Sequence, residues 1–322
     1  MTDLVPSRIS GGYFGARQGI TMASGVLSGF LISWILDAFT ADGSLAGYTI
    51  VFIMAGIFGA LDIACYFFVE FPPMKEAGLD RKRVRMTVML RDVLSDRRCG
   101  RIILLLTAWT FSTSLSGPFY HVHMLGPMHM TYSQINVLSA VMTNVATLLF
   151  STRRGKTIDR YGNKAVLQVS AFLVALIPLL WLFTGPGRIW VVPLVEFCSG
   201  IIWAPVGLAV QNTYLYQAPE KNRSMYFAVY FCFTQMVGIT LSYAVGGWLV
   251  DHLFLPLSQS LALTFLGIPM NQYPYIFVFS CLVRVLVVLT ALRLLPEREN
   301  DVTPSFMLRD ALHRIIRKSS AA

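Results

Sequence analysis

Gly155-Lys-Thr-Ile-Asp159-Arg160-Tyr161-Gly162-Asn163-Lys164 is a polar, basic stretch held between two apolar runs, Ile135 to Ser151 and Val166 to Thr184. Each run approaches the ~20 residues that cross a hydrocarbon core at ~1.5 Å of rise per residue. A charged loop between two such runs is a connection at a membrane surface. Six more runs of the same kind surround it: Gly19 to Phe39, Tyr48 to Val69, Ile102 to His121, Ile189 to Val210, Met225 to Val250 and Tyr273 to Leu295. The sequence therefore predicts an all-α membrane protein with about eight transmembrane helices. Leu253 to Ile268 is also apolar, but Pro256 and Pro269 shorten it, and it is expected to form a loop helix at the surface.

Composition and charge fit this reading. The 322 residues are 55% apolar and only 13% charged, with a mean hydropathy of +0.60, a balance that belongs to a bilayer-spanning chain. The net charge of +9 would suggest nucleic acid if it formed one soluble patch. Instead the basic residues fall in alternate connections: Arg8 and Arg17 before the first run, Lys75 to Arg101 after the second, Arg153 to Lys164 after the fourth, Lys221 and Arg223 after the sixth, and Arg293 onward after the last. The opposite connections hold only Arg188. By the positive-inside rule the chain is multi-pass in the cell (cytoplasmic) membrane with both termini cytoplasmic, and its surroundings are lipid, not nucleic acid. The opening residues are polar and carry no signal-peptide pattern. The five cysteines are dispersed with no metal spacing, and no metal or other cofactor is expected.

The chain also repeats itself at an offset a little above two hundred residues. Pro6, Arg8 and Tyr13-Phe14 introduce a run ending in Trp34-Ile-Leu-Asp37, as Pro219, Arg223 and Tyr226-Phe227 introduce one ending in Trp248-Leu-Val-Asp251. Tyr48 to Phe52 and Phe71-Pro72 match Tyr273 to Phe277 and Leu295-Pro296. Met89-Leu-Arg-Asp-Val-Leu94 follows the first copy and Met307-Leu-Arg-Asp-Ala-Leu312 the second, each on a basic amphipathic stretch expected along the inner membrane face. Four further runs, Ile102 to Val210, have no counterpart before residue 6.

On this repeat and on Gly155 to Lys164, the chain resembles the major facilitator superfamily, whose cytoplasmic signature is G-x-x-x-D-[RK]-x-G-[RK]-[RK]; Asn163 is the one departure. The resemblance implies helices 5 to 12 of a twelve-helix fold with the first four missing. Residues 1–70 are then the last two helices of an N-terminal half, 71–100 a basic amphipathic cytoplasmic linker, 101–296 a complete six-helix C-terminal half and 297–322 a cytoplasmic amphipathic tail. It further implies secondary active or facilitated transport of a small solute by alternating access, with H+ or Na+ as a coupling ion. The truncated chain is expected to be defective alone, because a cavity between two bundles needs both walls. The alternative is a non-transporting membrane scaffold or regulatory fragment. No paired carboxylate, His/Asp or Ser/Lys constellation supports an enzyme, and no nucleotide loop supports ATP-driven work.

The resemblance assigns Gly155, Asp159, Arg160, Gly162 and Lys164 to a cytoplasmic gate. Gly155 is expected to end a helix and Gly162 to permit a tight approach, with Arg160 and Lys164 in water or on lipid phosphate. Asp159 is expected to meet the N-terminus of the first run near Ser10-Gly11-Gly12, where exposed N–H groups favour a carboxylate, with Arg17 nearby. Arg223 is a second gate partner. The plainer alternative is a solvated turn with a helix cap. Among residues inside the runs, ionisable groups are costly and functional by default. Glu196 is a candidate for a proton or for a cationic substrate group; Asp62 and Arg284 read as structural. Trp109, Ser112, Tyr120, His121, Asn144, Trp203 and Gln235 complete the candidate cavity lining, against the alternative of ordinary helix packing. His121 and His123, two apart, do not share a helical face.

Overall fold

The computed structural model describes residues 10–40, 44–68, 86–217, 223–295, 302–307 and 309–310. In chain order the helices are α1 (Ser10–Thr40), α2 (Ala46–Cys65), α3 (Met86–Ser95), α4 (Arg97–Ser114), α5 (Gly117–Leu125), α6 (Tyr132–Ile135), α7 (Met142–Tyr161) and α8 (Asn163–Leu180). Then come α9 (Val191–Gln217), α10 (Arg223–Phe231), α11 (Thr240–Leu249), α12 (Leu255–Leu261) and α13 (Gln272–Thr290). π-helical turns at Asn136–Val141, Cys232–Ile239 and Val250–Phe254 join α6 to α7, α10 to α11 and α11 to α12. Two short strands, Thr264–Phe265 and Ile268–Pro269, pair antiparallel as a hairpin.

Among the described residues seven helices are long and apolar enough to cross a membrane: Gly19–Phe39, Ala46–Cys65, Arg97–Leu125, Asn163–Phe183, Val191–Tyr214, Met225–Leu261 and Gln272–Leu294. These agree with the all-α membrane bundle expected from the sequence, and the expected fourth span is the one run not among them. The expected fourth span is helical throughout, but it holds Asn136 and Asn144, is interrupted by a π turn, and runs on into Arg153 and Arg154. Leu253 to Leu261 is not a separate loop helix; it continues the span from Met225 through Pro256 and stops at Ala262, which adopts φ 41°. Asp96 caps α4 by accepting from the Arg98 and Cys99 N–H groups at 2.9 and 3.3 Å.

Contacts divide the chain into two units: Met1–Val84 with Met130–Val141, and Arg85–His129 with Met142–Ala322. In the first unit α1 packs on α2 and on α6. Its organising contact is Asp37, whose carboxylate accepts from the Tyr132 N–H at 2.7 Å and the Ser133 N–H at 2.9 Å. These are free donors at the start of α6, which Thr131 and Gln134 close with a capping box. That contact assigns Met130–Val141 to the first unit, a division the order of runs did not foretell. Phe52, Phe67 and Phe68 face outward, as helices solvated by lipid require.

In the second unit α7 lies along α9, α9 along α8, and α8 along α13, while α4 packs against the π turn Cys232–Ile239. Small residues set the spacing, as expected where lipid supplies no hydrophobic drive between helices. At Gly200 a Cβ would sit 2.8 Å from both the Ala146 Cβ and the Thr143 carbonyl oxygen, so only glycine lets α9 close on α7 there.

Candidate functional site

The basic loop is folded more tightly than its sequence suggested. α7 runs through Gly155 and Asp159 to Tyr161, so Gly155 does not end the helix. The reversal occurs at Gly162, which adopts φ 82°, and α8 starts at Asn163. Asp159 therefore lies in the last turn of one helix, not at the N-terminus of the next. Its side chain, those of Arg17 and Arg223, and those at the expected latch near Ser10 lie outside what the structure describes.

Arg160 is exposed, as expected, but it is also paired. Its Nη2 pairs with Asp310 Oδ2 at 3.1 Å, and the Tyr161 hydroxyl donates to the same oxygen at 2.7 Å. The Val302 N–H donates to the Tyr161 carbonyl at 3.3 Å. The second copy of the Met-Leu-Arg-Asp echo thus clasps the loop. The carboxylate beside it favours the neutral phenol and raises the Tyr161 pKa. Asn163, the departure from the signature, is only 8% exposed. Its Nδ2 donates to the Ala209 carbonyl at 2.8 Å and to Thr213 Oγ1 at 2.7 Å, tying the loop to α9. A basic residue at this position would bring an unpaired charge to the same buried place. Lys164 is half-buried on the first turn of α8.

Inside the spans, Glu196, Gly200 and Trp203 follow one another on one face of α9. The close approach at Gly200 brings Glu196 beside α7, where Thr143 Oγ1 donates to Glu196 Oε2 at 2.8 Å. Glu196 is half-buried, and its carboxylate has no further hydrogen bond or ion pair among the described residues. Trp203 packs on Trp109 with ring centroids 6.3 Å apart. Trp109 itself is 3% exposed. Tyr120 is half-buried between Trp181 and Phe277, at 4.7 and 4.8 Å, and its hydroxyl shares a 2.8 Å bond with Ser116 Oγ. Asn144 is half-buried on α7, and Gln235 is exposed on the π turn.

The two remaining lining candidates differ in burial. Ser112 is fully buried and donates to the Trp109 carbonyl at 2.8 Å, a packing hydroxyl rather than a cavity one. His121 is exposed, while His123 is buried with Nε2 3.2 Å from Thr184 Oγ1. Since the Thr184 hydroxyl donates to the Trp181 carbonyl at 2.7 Å, His123 donates through Nε2. It borders a cavity of about 320 Å3 under the hairpin, remote in the chain from the Glu196 face.

Arg284 is 2% exposed in the last span. The helix breaks between α4 and α5, and the carbonyls of Ser112 and Thr113 at that break accept from Arg284 Nε at 3.4 Å and Nη2 at 2.8 Å. Nη2 also reaches Ser116 Oγ at 2.9 Å, and Nη1 the Val174 carbonyl at 3.2 Å. This cation joins α4, α8 and α13. Asp62 is exposed on α2. Among the described residues no group of three His, Cys, Asp or Glu side chains could hold a metal ion.

Membrane-crossing helices, a clasped basic loop and a carboxylate kept inside a span define a multi-pass membrane protein built as transporters are. The model of the Major Facilitator Superfamily matches residues 1–243, and the chain belongs to that superfamily. No curated protein matches it. Its general activity is therefore membrane transport of a solute, its partner a small-molecule substrate, and its family one of transporters rather than enzymes.

Proposed function

We propose that the chain carries a small solute across the cytoplasmic membrane by alternating access, with Glu196 as the group that exchanges a proton or takes the cationic part of the substrate. Both termini then lie in the cytoplasm, as the distribution of basic residues indicates. One observation carries the assignment: a carboxylate within a span, held by the single hydroxyl of Thr143 at 2.8 Å. A structural charge in a membrane is saturated by partners, as Arg284 is; a charge left with an open oxygen is available to a ligand. Trp203, backed by the buried Trp109, supplies an aromatic face on the same wall, suited to a cation or a ring.

The full chain in proteoliposomes enclosing a pH dye tests this, with amino acids, sugars, organic cations and carboxylates added across a pH gradient. A chain that transports on its own, against the expectation that it is defective alone, gives solute-dependent proton flux in the wild type, abolished in Glu196→Gln and partly retained in Glu196→Asp. Flux unchanged in Glu196→Gln removes Glu196 from the mechanism. Absence of flux with every solute class favours the scaffold reading over transport.

A further inference from the structure

We infer that the second unit holds a binding site for one anionic phospholipid in the groove between α8 and the end of α13. The groove is about 350 Å3, within the range of built ligand sites. Phe172 and Leu173 of α8 and Val288 and Leu289 of α13 wall it, Arg293 stands at its end, and Pro304 of the clasping segment borders it. Both helices are membrane spans, so the groove opens onto hydrocarbon. Phe172, Leu173 and Leu289 are each more than 40% exposed. Leu282 and Leu286 of α13 also face outward.

Charge decides the occupant. Arg293 sits one residue before the end of the last span, is exposed, and has no hydrogen bond or ion pair among the described residues. Leu292 next to it is fully buried, with its carbonyl taken by Gln168 Nε2 at 3.1 Å, which fixes the backbone from which Arg293 projects. A guanidinium carried on held backbone at the headgroup end of an apolar groove fits an acyl chain below and a phosphate above. The clasp adds a second link, because Pro304 lies between Val302 and Asp310, the two residues bound to Tyr161 and Arg160. Lipid in the groove thus rests against the segment that holds the basic loop.

The test is native mass spectrometry of the full chain taken from vesicles of equal phosphatidylglycerol and phosphatidylcholine, followed through stepwise delipidation. Wild type is expected to retain one phosphatidylglycerol with a preference of about five-fold, the ~1 kcal/mol that one arginine supplies beside anionic lipid. Arg293→Gln should bring the preference to about one. Leu289→Trp, which fills the groove and keeps the charge, should lower retention of both lipids. Millimolar inorganic phosphate should displace neither, which separates a lipid site from a free-anion site. Circular dichroism of each variant shows that it is folded. Equal retention of the two lipids by wild type, an unchanged preference in Arg293→Gln, or displacement by phosphate overturns the assignment. None of these outcomes bears on transport by Glu196.

Discussion

Arg284 and Glu196 lie in spans of the same unit and carry opposite charges, yet their surroundings differ in kind. Arg284 is 2% exposed and gives hydrogen bonds to three carbonyls and a hydroxyl from two other helices. Glu196 is half-buried and receives one hydroxyl. Inside a membrane the cost of a charge is met by partners or by exchange with a ligand. The first residue has the partners and therefore holds helices together; the second is left open. Position within a span does not separate these roles, but the count of donors and acceptors does.

The largest expected effect comes from breaking the saturated member. Arg284→Met leaves the Thr113 and Val174 carbonyls without that donor, while the Ser112 carbonyl keeps the Ser280 hydroxyl at 3.3 Å, and at ~1–3 kcal/mol per orphaned buried group the full chain should lose ~2 kcal/mol or more. A fall in thermal midpoint in detergent checks this, and Arg284→Lys should recover part of it. Next, Gly200→Val inserts methyl groups where α7 already lies at contact distance. Overpacking should cost ~1–3 kcal/mol, and it should part Glu196 from Thr143, so stability and coupling fall together. Thr143→Val in the same assay should affect coupling with a smaller loss of stability.

Two smaller predictions concern the loop. Asn163→Ala removes bonds to Ala209 and Thr213, and should cost ~1–2 kcal/mol; hydrogen exchange should rise in the loop and at 209–213. Tyr161→Phe removes the donor to Asp310 and should weaken the clasp by ~0.5–1.5 kcal/mol, read as faster exchange over 302–310. The pH dependence has a definite sign. Because Asp310 raises the Tyr161 pKa, the neutral phenol is favoured in the folded state. Its contribution is complete below the ordinary tyrosine value of ~10 and is lost as pH rises through the raised value. Protection of 302–310 should therefore fall at strongly alkaline pH in wild type, and less so in Tyr161→Phe.

The spans were legible because apolar runs of near-bilayer length leave little alternative, and Gly19–Phe39 matches the sequence reading residue for residue. Ile135 to Ser151 was harder: a π turn and polar residues within it are compatible with helix but dilute the run. Gly155 misled for a physical reason, since glycine costs a helix only ~1 kcal/mol and flanking turns can carry it through. The clasp was visible only as an echo between two tails, because no local pattern says that Asp310 turns back 150 residues to Arg160. Asn163 read as a lapse from the signature, whereas its amide does work that a cation there would not. Ser112 is packed rather than open because a polar run on one helix does not reveal which face is inward, and of the two histidines His123 is the buried one.

The proposed exchange at Glu196 is tested most directly by infrared difference spectroscopy of the full chain in lipid, recorded between acidic and alkaline buffer in H2O and D2O. The account predicts a carboxyl C=O band that appears on acidification, shifts in D2O, moves when Thr143 is replaced by valine, and is missing in Glu196→Gln. Identical difference spectra for wild type and Glu196→Gln would contradict it, and would place Glu196 with Arg284 among the groups that only hold the bundle together.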